Sequence, residues 1–163
     1  MKLTYAMIKP DAFKAKNVGN IISRIEKEGF NIIGLKLGVM ERELAEEFYS
    51  VHKDKPFFSE LVDFIISGPV VALVLEKENA IKVWRDLMGN TDPAKADENT
   101  LRKLYGTSIG PNALHGSDAP ETAVTEINLI FPELMEEEIV EKKIKETIEE
   151  ETKETAEEIS DKK

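Results

Sequence analysis

Six consecutive apolar residues, Val70-Val71-Ala72-Leu73-Val74-Leu75, follow the break Gly68-Pro69. The run has strand length, is rich in β-branched residues and offers no polar position, which marks a strand at the centre of a sheet, covered on both faces. A chain built around such a strand must supply partner strands and helices for both sides of the sheet. The remaining sequence can be read for them in order.

Leu3 to Lys9 alternates small and bulky side chains and halts at Pro10, as a strand does. Asn17 is placed to cap a helix that carries Ile21, Ile22 and Ile25 on one face and closes at Gly29. Phe30 to Met40 returns as a strand, with Gly34 and Gly38 as positions for a bulge or a close approach. Glu43 to Tyr49 reads as a helix, and Pro56 stands where a second helix, carrying Phe57, Phe58, Leu61, Phe64 and Ile65, would begin. After the central strand, Asn79 heads a helix reaching Met88. Gly89 to Pro111 is a long irregular stretch, broken by one helical turn near Thr100 to Leu104. Connections of that length are commonly functional. Ala113 to His115 is a short strand, and Pro120 to Phe131 a helix with Val124, Ile127 and Phe131 on its apolar face.

The 163 residues include no cysteine, which excludes disulfides, thiol catalysis and thiolate metal sites. The first residues lack the apolar core of a secretory signal, and no apolar run approaches the ~18 residues of a membrane span. The expectation is a soluble, cytoplasmic protein of one main domain without a membrane partner. The formal charge of −10 is unevenly placed, because thirteen acidic and six basic residues fall between Glu133 and Lys163. The near-balanced body shows no basic stripe for a nucleic-acid backbone, so no specific nucleic-acid partner is expected.

Chemistry concentrates at Asn112-Ala113-Leu114-His115-Gly116-Ser117-Asp118. Gly116 permits close backbone approach, Ser117 and Asp118 are N-cap residue types, and Glu126 falls about two turns into the following helix. From there a carboxylate can fold back on the imidazole, the arrangement of an oriented nucleophile. Arg85, Thr91 and Arg102 in or beside the long loop suit oxyanions, since a guanidinium donates to them bidentately. Neither a Gly-x-x-x-x-Gly-Lys-[Ser/Thr] loop nor a Gly-x-Gly-x-x-Gly turn after a strand is present. With only two histidines and no close ligand cluster, a zinc site is not expected.

Five stretches in collinear order now resemble the nucleoside diphosphate kinase family over about residues 3 to 131. They are Ile8-Lys9-Pro10-Asp11, Lys55-Pro56-Phe57-Phe58, Ser67-Gly68-Pro69-Val70-Val71-Ala72, Thr91-Asp92-Pro93-Ala94 and the histidine stretch itself. The resemblance implies a ferredoxin-like α/β sandwich, a four-stranded antiparallel sheet with helices on its faces, as a catalytic domain at 1–132. It implies γ-phosphate transfer from a nucleoside triphosphate to a diphosphate by a ping-pong route through a phosphohistidine on His115. Glu126 would orient the ring, with Tyr49 and Ser117 near it. Lys9 and Asn112 would hold the sugar, and Lys9 would also serve in catalysis. His52, Arg85, Thr91 and Arg102 would hold phosphates, while Phe57 and Ile109 would enclose the base. Mg2+ would arrive on the substrate phosphates without a dedicated protein cage. The family forms homo-hexamers or homo-tetramers. Lys55 and Pro111 stand where family members often carry Arg, and Pro111 fixes the local φ and removes a donor. The alternative of another class is a ferredoxin-like nucleotide sensor or scaffold without turnover, which would require a broken catalytic set.

Beyond the resemblance lies an acidic extension, 133–163, expected to be partly helical or disordered. Glu138/Lys142, Glu141/Lys145 and Glu149/Lys153 are i,i+4 pairs in the favourable order, each contributing ~0.2–0.5 kcal/mol to a helix. Its apolar stripe, Ile139, Val140, Ile144 and Ile148, has no sustained heptad.

Overall fold

The computed structural model describes residues 2–134, so the expectation for the acidic extension lies outside the described residues from 135 onward. The chain divides into units Met1–Ile130 and Phe131–Lys163, and the first carries all that follows. Its elements are β1 (Leu3–Ile8), α1 (Pro10–Lys14), α2 (Val18–Lys27), β2 (Asn31–Gly38), α3 (Arg42–Phe48), α4 (Phe58–Ile65), β3 (Val70–Glu76), α5 (Ala80–Met88), α6 (Leu101–Tyr105), β4 (Leu114–Gly116) and α7 (Pro120–Ile130). Short 3-10 turns lie at Ser50–His52 and Pro93–Lys95.

The strands form one antiparallel sheet in the order β2-β3-β1-β4, the ferredoxin-like arrangement. The apolar run at 70–75 is an interior strand, buried from Val70 to Leu75. Register decides which side chains share a face, because directly opposed residues in an antiparallel pair project the same way. Ile8 stands opposite Val71 and Leu114, and Ala6 opposite Leu73. This face packs into one core with Ile21 and Ile25 of α2 and Trp84 and Met88 of α5. The other face carries Tyr5 opposite Val74, and Met7 opposite both Ala72 and His115. Since the period is two, Lys9, just past β1, falls on the side of Tyr5, Met7 and His115. Phe48 of α3 covers this second face, its ring 5.4 Å from that of Tyr5.

Several local expectations changed. Gly29 does close α2: at φ +77° its N–H donates to the Glu26 carbonyl, and the N–H of Phe30 reaches that of Ile25, the Schellman pair. Asn17 and Asn79, however, flank α2 and α5 without capping by their side chains, and Asn79 sits in the left-handed region at φ +57°. Pro56 lies before the helix, which starts at Phe58. The bulge in β2 falls between Ile32 and Gly34. In α7 the inward stripe is Ala123, Glu126 and Ile127, so Val124 faces solvent, while Phe131 lies past the last helical residue. One short helix, α1, was hidden by Pro10: the residue that stops β1 also serves as the first residue of a helix, where its missing N–H is harmless.

Candidate active site

His115 is the middle residue of a three-residue strand that, among the described residues, is bonded only to β1, and it points from the α3/α7 side of the sheet into a cleft of about 800 Å³. Lys9, Tyr49, His52, Arg85, Thr91, Arg102, Ile109, Asn112, His115 and Glu126 all line this one cleft. Two sequence-nominated residues do not. Ser117 is fully buried behind the histidine, and Phe57 stands half-exposed with its ring 5.7 Å from His52, which does line the cleft.

The orientation of the His115 imidazole is fixed by a short chain of bonds. Nε2 of His115 lies 2.6 Å from Oε1 of Glu126, while Ser117 donates its hydroxyl to Oε2 at 2.6 Å and accepts from the backbone N–H of Tyr5 at 3.1 Å. An ionised carboxylate only accepts, so Nε2 carries the proton and Nδ1 keeps its lone pair. The rings of Phe48, Tyr5 and Tyr49 surround the imidazole at 5.1, 6.0 and 6.2 Å between centroids. Behind the strand, the Trp84 indole N–H donates to the His115 carbonyl at 3.3 Å.

Ser117 and Asp118 are therefore not the helix caps their residue types advertise. Ser117 is committed to Glu126 and Tyr5, and Asp118 accepts from the Thr122 hydroxyl at 2.7 Å. That bond is the main cause holding the Asp118 carboxyl below its ordinary range.

The loop before β4 is held just as closely. Ala113 adopts φ +73°, a left-handed conformation costly for a residue with a Cβ. Its carbonyl accepts from the N–H of Lys9 at 2.9 Å and its N–H donates to Oδ2 of Asp11 at 2.9 Å, so β1 and α1 grip it from both sides. The Asn112 side chain is equally engaged. Its Oδ1 accepts from the Lys9 ammonium at 2.9 Å, and its amide donates to the carbonyls of Ile109 and Thr91 at 2.9 and 3.2 Å. The Pro111 carbonyl gathers the N–H of Thr107 at 2.9 Å and the Thr107 hydroxyl at 3.2 Å, so the proline closes its own loop locally. Asp11, Phe48 and Trp84 thus support the site without having been nominated by sequence. Only Asp11, two residues past Lys9 in a quoted motif, left a readable signal.

Three cations, Lys9, Arg85 and Arg102, gather in the cleft. Lys9 is only 7% exposed, and burial first, then the neighbouring Arg102, lowers its pKa to about 8. Burial and then Arg85 lower that of Arg102 to about 10. Arg102 donates to the carbonyls of Gly89 and Leu114, both at 3.0 Å. Among the described residues, none of Lys9, Arg85 and Arg102 belongs to an ion pair. Asp11 offsets part of the Lys9 charge and Asp118 faces Arg85, but the cations still repel one another, and an anionic ligand relieves that repulsion.

The family model "Nucleoside diphosphate kinase" matches residues 2–135. The chain belongs to the nucleoside diphosphate kinase family. It is 55% identical over 131 residues to the nucleoside diphosphate kinase of Desulfotalea psychrophila, covering 80% of this chain and 96% of that protein. Among solved structures it resembles the Aquifex aeolicus nucleoside diphosphate kinase at 47% identity and TM-score 0.78, covering 80% of this chain and 94% of that one. The Halobacterium salinarum enzyme, solved in complex with CDP, matches at 42% identity and TM-score 0.77, covering 80% and 87%.

Proposed function

We propose that this nucleoside diphosphate kinase family member moves the γ-phosphoryl group of a nucleoside triphosphate to a nucleoside diphosphate by way of Nδ1 of His115. The observation that carries the reading is the pairing of Nε2 with Glu126, which leaves Nδ1 free in a cleft walled by Lys9, Arg85 and Arg102. In the first half-reaction the Nδ1 lone pair attacks the γ-phosphorus. The N–P bond forms as the bond to the bridging oxygen breaks, and the diphosphate leaves with that electron pair. In the second, a terminal oxygen of another diphosphate attacks the phosphorus and the N–P electrons return to the ring. Phosphoryl transfer asks for positioning and charge stabilisation more than covalent help, and the three cations supply the charge. Glu126 offsets the positive charge on the phosphorylated ring and fixes its tautomer.

His52, Arg85, Thr91 and Arg102 are assigned to the phosphates and Lys9 with Asn112 to the sugar. The divalent cation, Mg2+, enters as part of the substrate. Among the described residues no group of three or more His, Asp or Glu could hold a metal, and this donor set fits a cation carried on phosphates. The sensor or scaffold alternative is not favoured, because the family model, the curated relatives and the solved structures matched are all nucleoside diphosphate kinases. The test is incubation with γ-labelled ATP and a second diphosphate. An acid-labile labelled protein and labelled triphosphate product are expected, and their absence overturns the reading.

Phe57 and Ile109, 48% and 62% exposed, are assigned to the base. Contact with the face of a base contributes ~1–3 kcal/mol without reading its edge. ATP and GTP are therefore expected to phosphorylate the protein at similar rates. A preference above about a thousandfold in kcat/KM, ~4 kcal/mol, would mean the edge is read.

A pH dependence follows from Lys9. Its charge falls as pH rises through about 8, so kcat/KM declines above that value, and Lys9→Arg removes this limb. Stability runs the other way. Between about 8 and the ordinary 10.5 the unfolded chain binds more protons at this position than the fold does, so resistance to urea rises with pH. An activity profile flat to pH 9.5 contradicts the assignment.

Homo-oligomerisation is supported by β2, an edge strand exposing Ile33, Leu35 and Leu37, with Val39 just beyond it. Among the described residues no helix is long and apolar enough to cross a membrane, and we place the activity in the cytoplasm. Residues 133–163 are proposed to be dispensable for chemistry, since no assigned residue lies past Glu126. Deleting 136–163 should leave kcat/KM within about threefold, under ~1 kcal/mol. Loss of activity or dissociation of the oligomer in that variant contradicts this.

A further inference from the structure

Asp11 stands behind the cleft without lining it, and the phosphotransfer scheme assigns it no role. Its Oδ2 accepts from the N–H of Ala113 at 2.9 Å, and the carbonyl of the same residue accepts from the N–H of Lys9 at 2.9 Å. Ala113 is thereby held at φ +73° between Asn112, whose Oδ1 accepts from the Lys9 ammonium at 2.9 Å, and Leu114, the first residue of β4. Lys9, Pro10 and Asp11 are consecutive, with the proline opening α1 and fixing φ between the other two. Lys9 and Asp11 therefore meet Ala113 as one stiff segment.

A single hydrogen bond does not explain a carboxylate. Asparagine or serine could accept from Ala113 as well, yet here a charged group is used, and its second oxygen, Oδ1, is buried without a hydrogen-bond partner among the described residues. Burying such an oxygen is costly unless a cation is at hand. Lys9, on the same segment and 7% exposed, is that cation. Two charged groups act chiefly on its ammonium: Arg102 of α6 opposes its charge and Asp11 of α1 favours it. The other titratable groups on that side are Tyr49 at the end of α3, His115 on β4 and Glu126 on α7, and the Glu126 carboxylate is committed to His115 and Ser117.

We propose that Asp11 is a positioning residue for the nucleotide: its carboxylate sets the Lys9–Asn112 pair through Ala113 and is the counter-charge that lets a lysine ammonium serve in a buried place. The inference deepens the assignment of Lys9 made above and rests on it.

In the full-length protein Asp11→Asn separates the charge from the hydrogen bond, since the amide oxygen still accepts from Ala113. The alkaline limb of kcat/KM should move down by about 0.5 in pH, lowering kcat/KM about threefold above pH 8. Resistance to urea gives a readout free of activity. The loss caused by Asp11→Asn should be largest near pH 7, where Lys9 is charged, and fade as pH rises through about 8. A merely structural bond would give a loss constant over that range. In a Lys9→Arg background the loss should no longer fade, because a guanidinium keeps its charge. Should Asp11→Asn not fold, Asp11→Ser, also neutral and able to accept, is read in the same way. An unmoved limb, or a urea loss independent of pH, overturns the proposal. The two levels stay separable. A limb that persists in Lys9→Arg removes the assignment of Lys9, whereas a limb that vanishes there and stays in place in Asp11→Asn removes only the role of Asp11.

Discussion

His115→Ala is expected to lose phosphoryl transfer, a fall of about 10⁴-fold or more, ~5 kcal/mol in transition-state terms. The magnitude follows from the two-step route. With the imidazole gone, the cleft keeps carboxylates, hydroxyls and a second imidazole, His52, but among the described residues only His115 has its ring nitrogen paired with a carboxylate, the arrangement that leaves a lone pair aimed at phosphorus. Single-turnover labelling measures it directly, and near-normal turnover in the variant ends the phosphohistidine mechanism. Glu126→Gln should be milder, roughly 10–100-fold, less than the ~10²–10⁴ that a group itself transferring a proton supplies. A glutamine can still accept from Nε2 while its amide donates to Ser117, so the tautomer survives. What is lost is the negative charge beside a ring about to become cationic.

The sheet was legible because its side chains obey a period of two. Alternation from Leu3 to Lys9 and the apolar run at 70–75 located the two interior strands, and the same period put Lys9 and His115 on one face. Helix α7 was found, but its buried stripe was misread, because its inward positions include a carboxylate. Glu126 sits between Ala123 and Ile127 in burial, so a search for apolar periodicity chose Val124 instead. Charge at a core position is the signature of the site, and Glu126 was read as a partner of His115 without being read as part of the buried stripe. The caps failed for a related reason. Ser117 has N-cap chemistry, yet a tertiary partner, Glu126, takes its hydroxyl. Local propensity sets which bonds a side chain is able to make, and packing chooses among them. The supports from Phe48 and Trp84 were unreadable, and Asp11 showed only as part of a motif, because their contacts depend on strand register between segments about a hundred or several tens of residues apart in sequence.

Gly116→Ala is expected to combine lost stability with lost activity, though it changes no chemical group. A Cβ at this position would lie 2.4 Å from Nε1 and 2.5 Å from Cδ1 of Trp84, and 2.7 Å from the Met88 methyl. Comfortable carbon contacts are ~3.5–4.0 Å, so about an ångström must be found somewhere. Trp84 cannot yield freely, being wholly buried against Phe30 in an edge-to-face contact at 6.2 Å. The softer element is β4, three residues long and, among the described residues, bonded in the sheet to β1 alone. Overpacking of this kind typically costs ~1–3 kcal/mol, and a wholly enclosed site puts the variant toward the upper end. Moving β4 also carries His115 away from Glu126 and loosens the Trp84 bond to its carbonyl. A displacement of ~1 Å at a reacting group can cost about 10²-fold in rate, so kcat should fall by that order even where the variant remains folded. Urea unfolding and single-turnover labelling measured on the same preparation separate the two effects. A folded Gly116→Ala protein with the stability and rate of the original would mean that the indole moves aside at little cost and that the close approach of β4 to α5 does not set the position of the nucleophile.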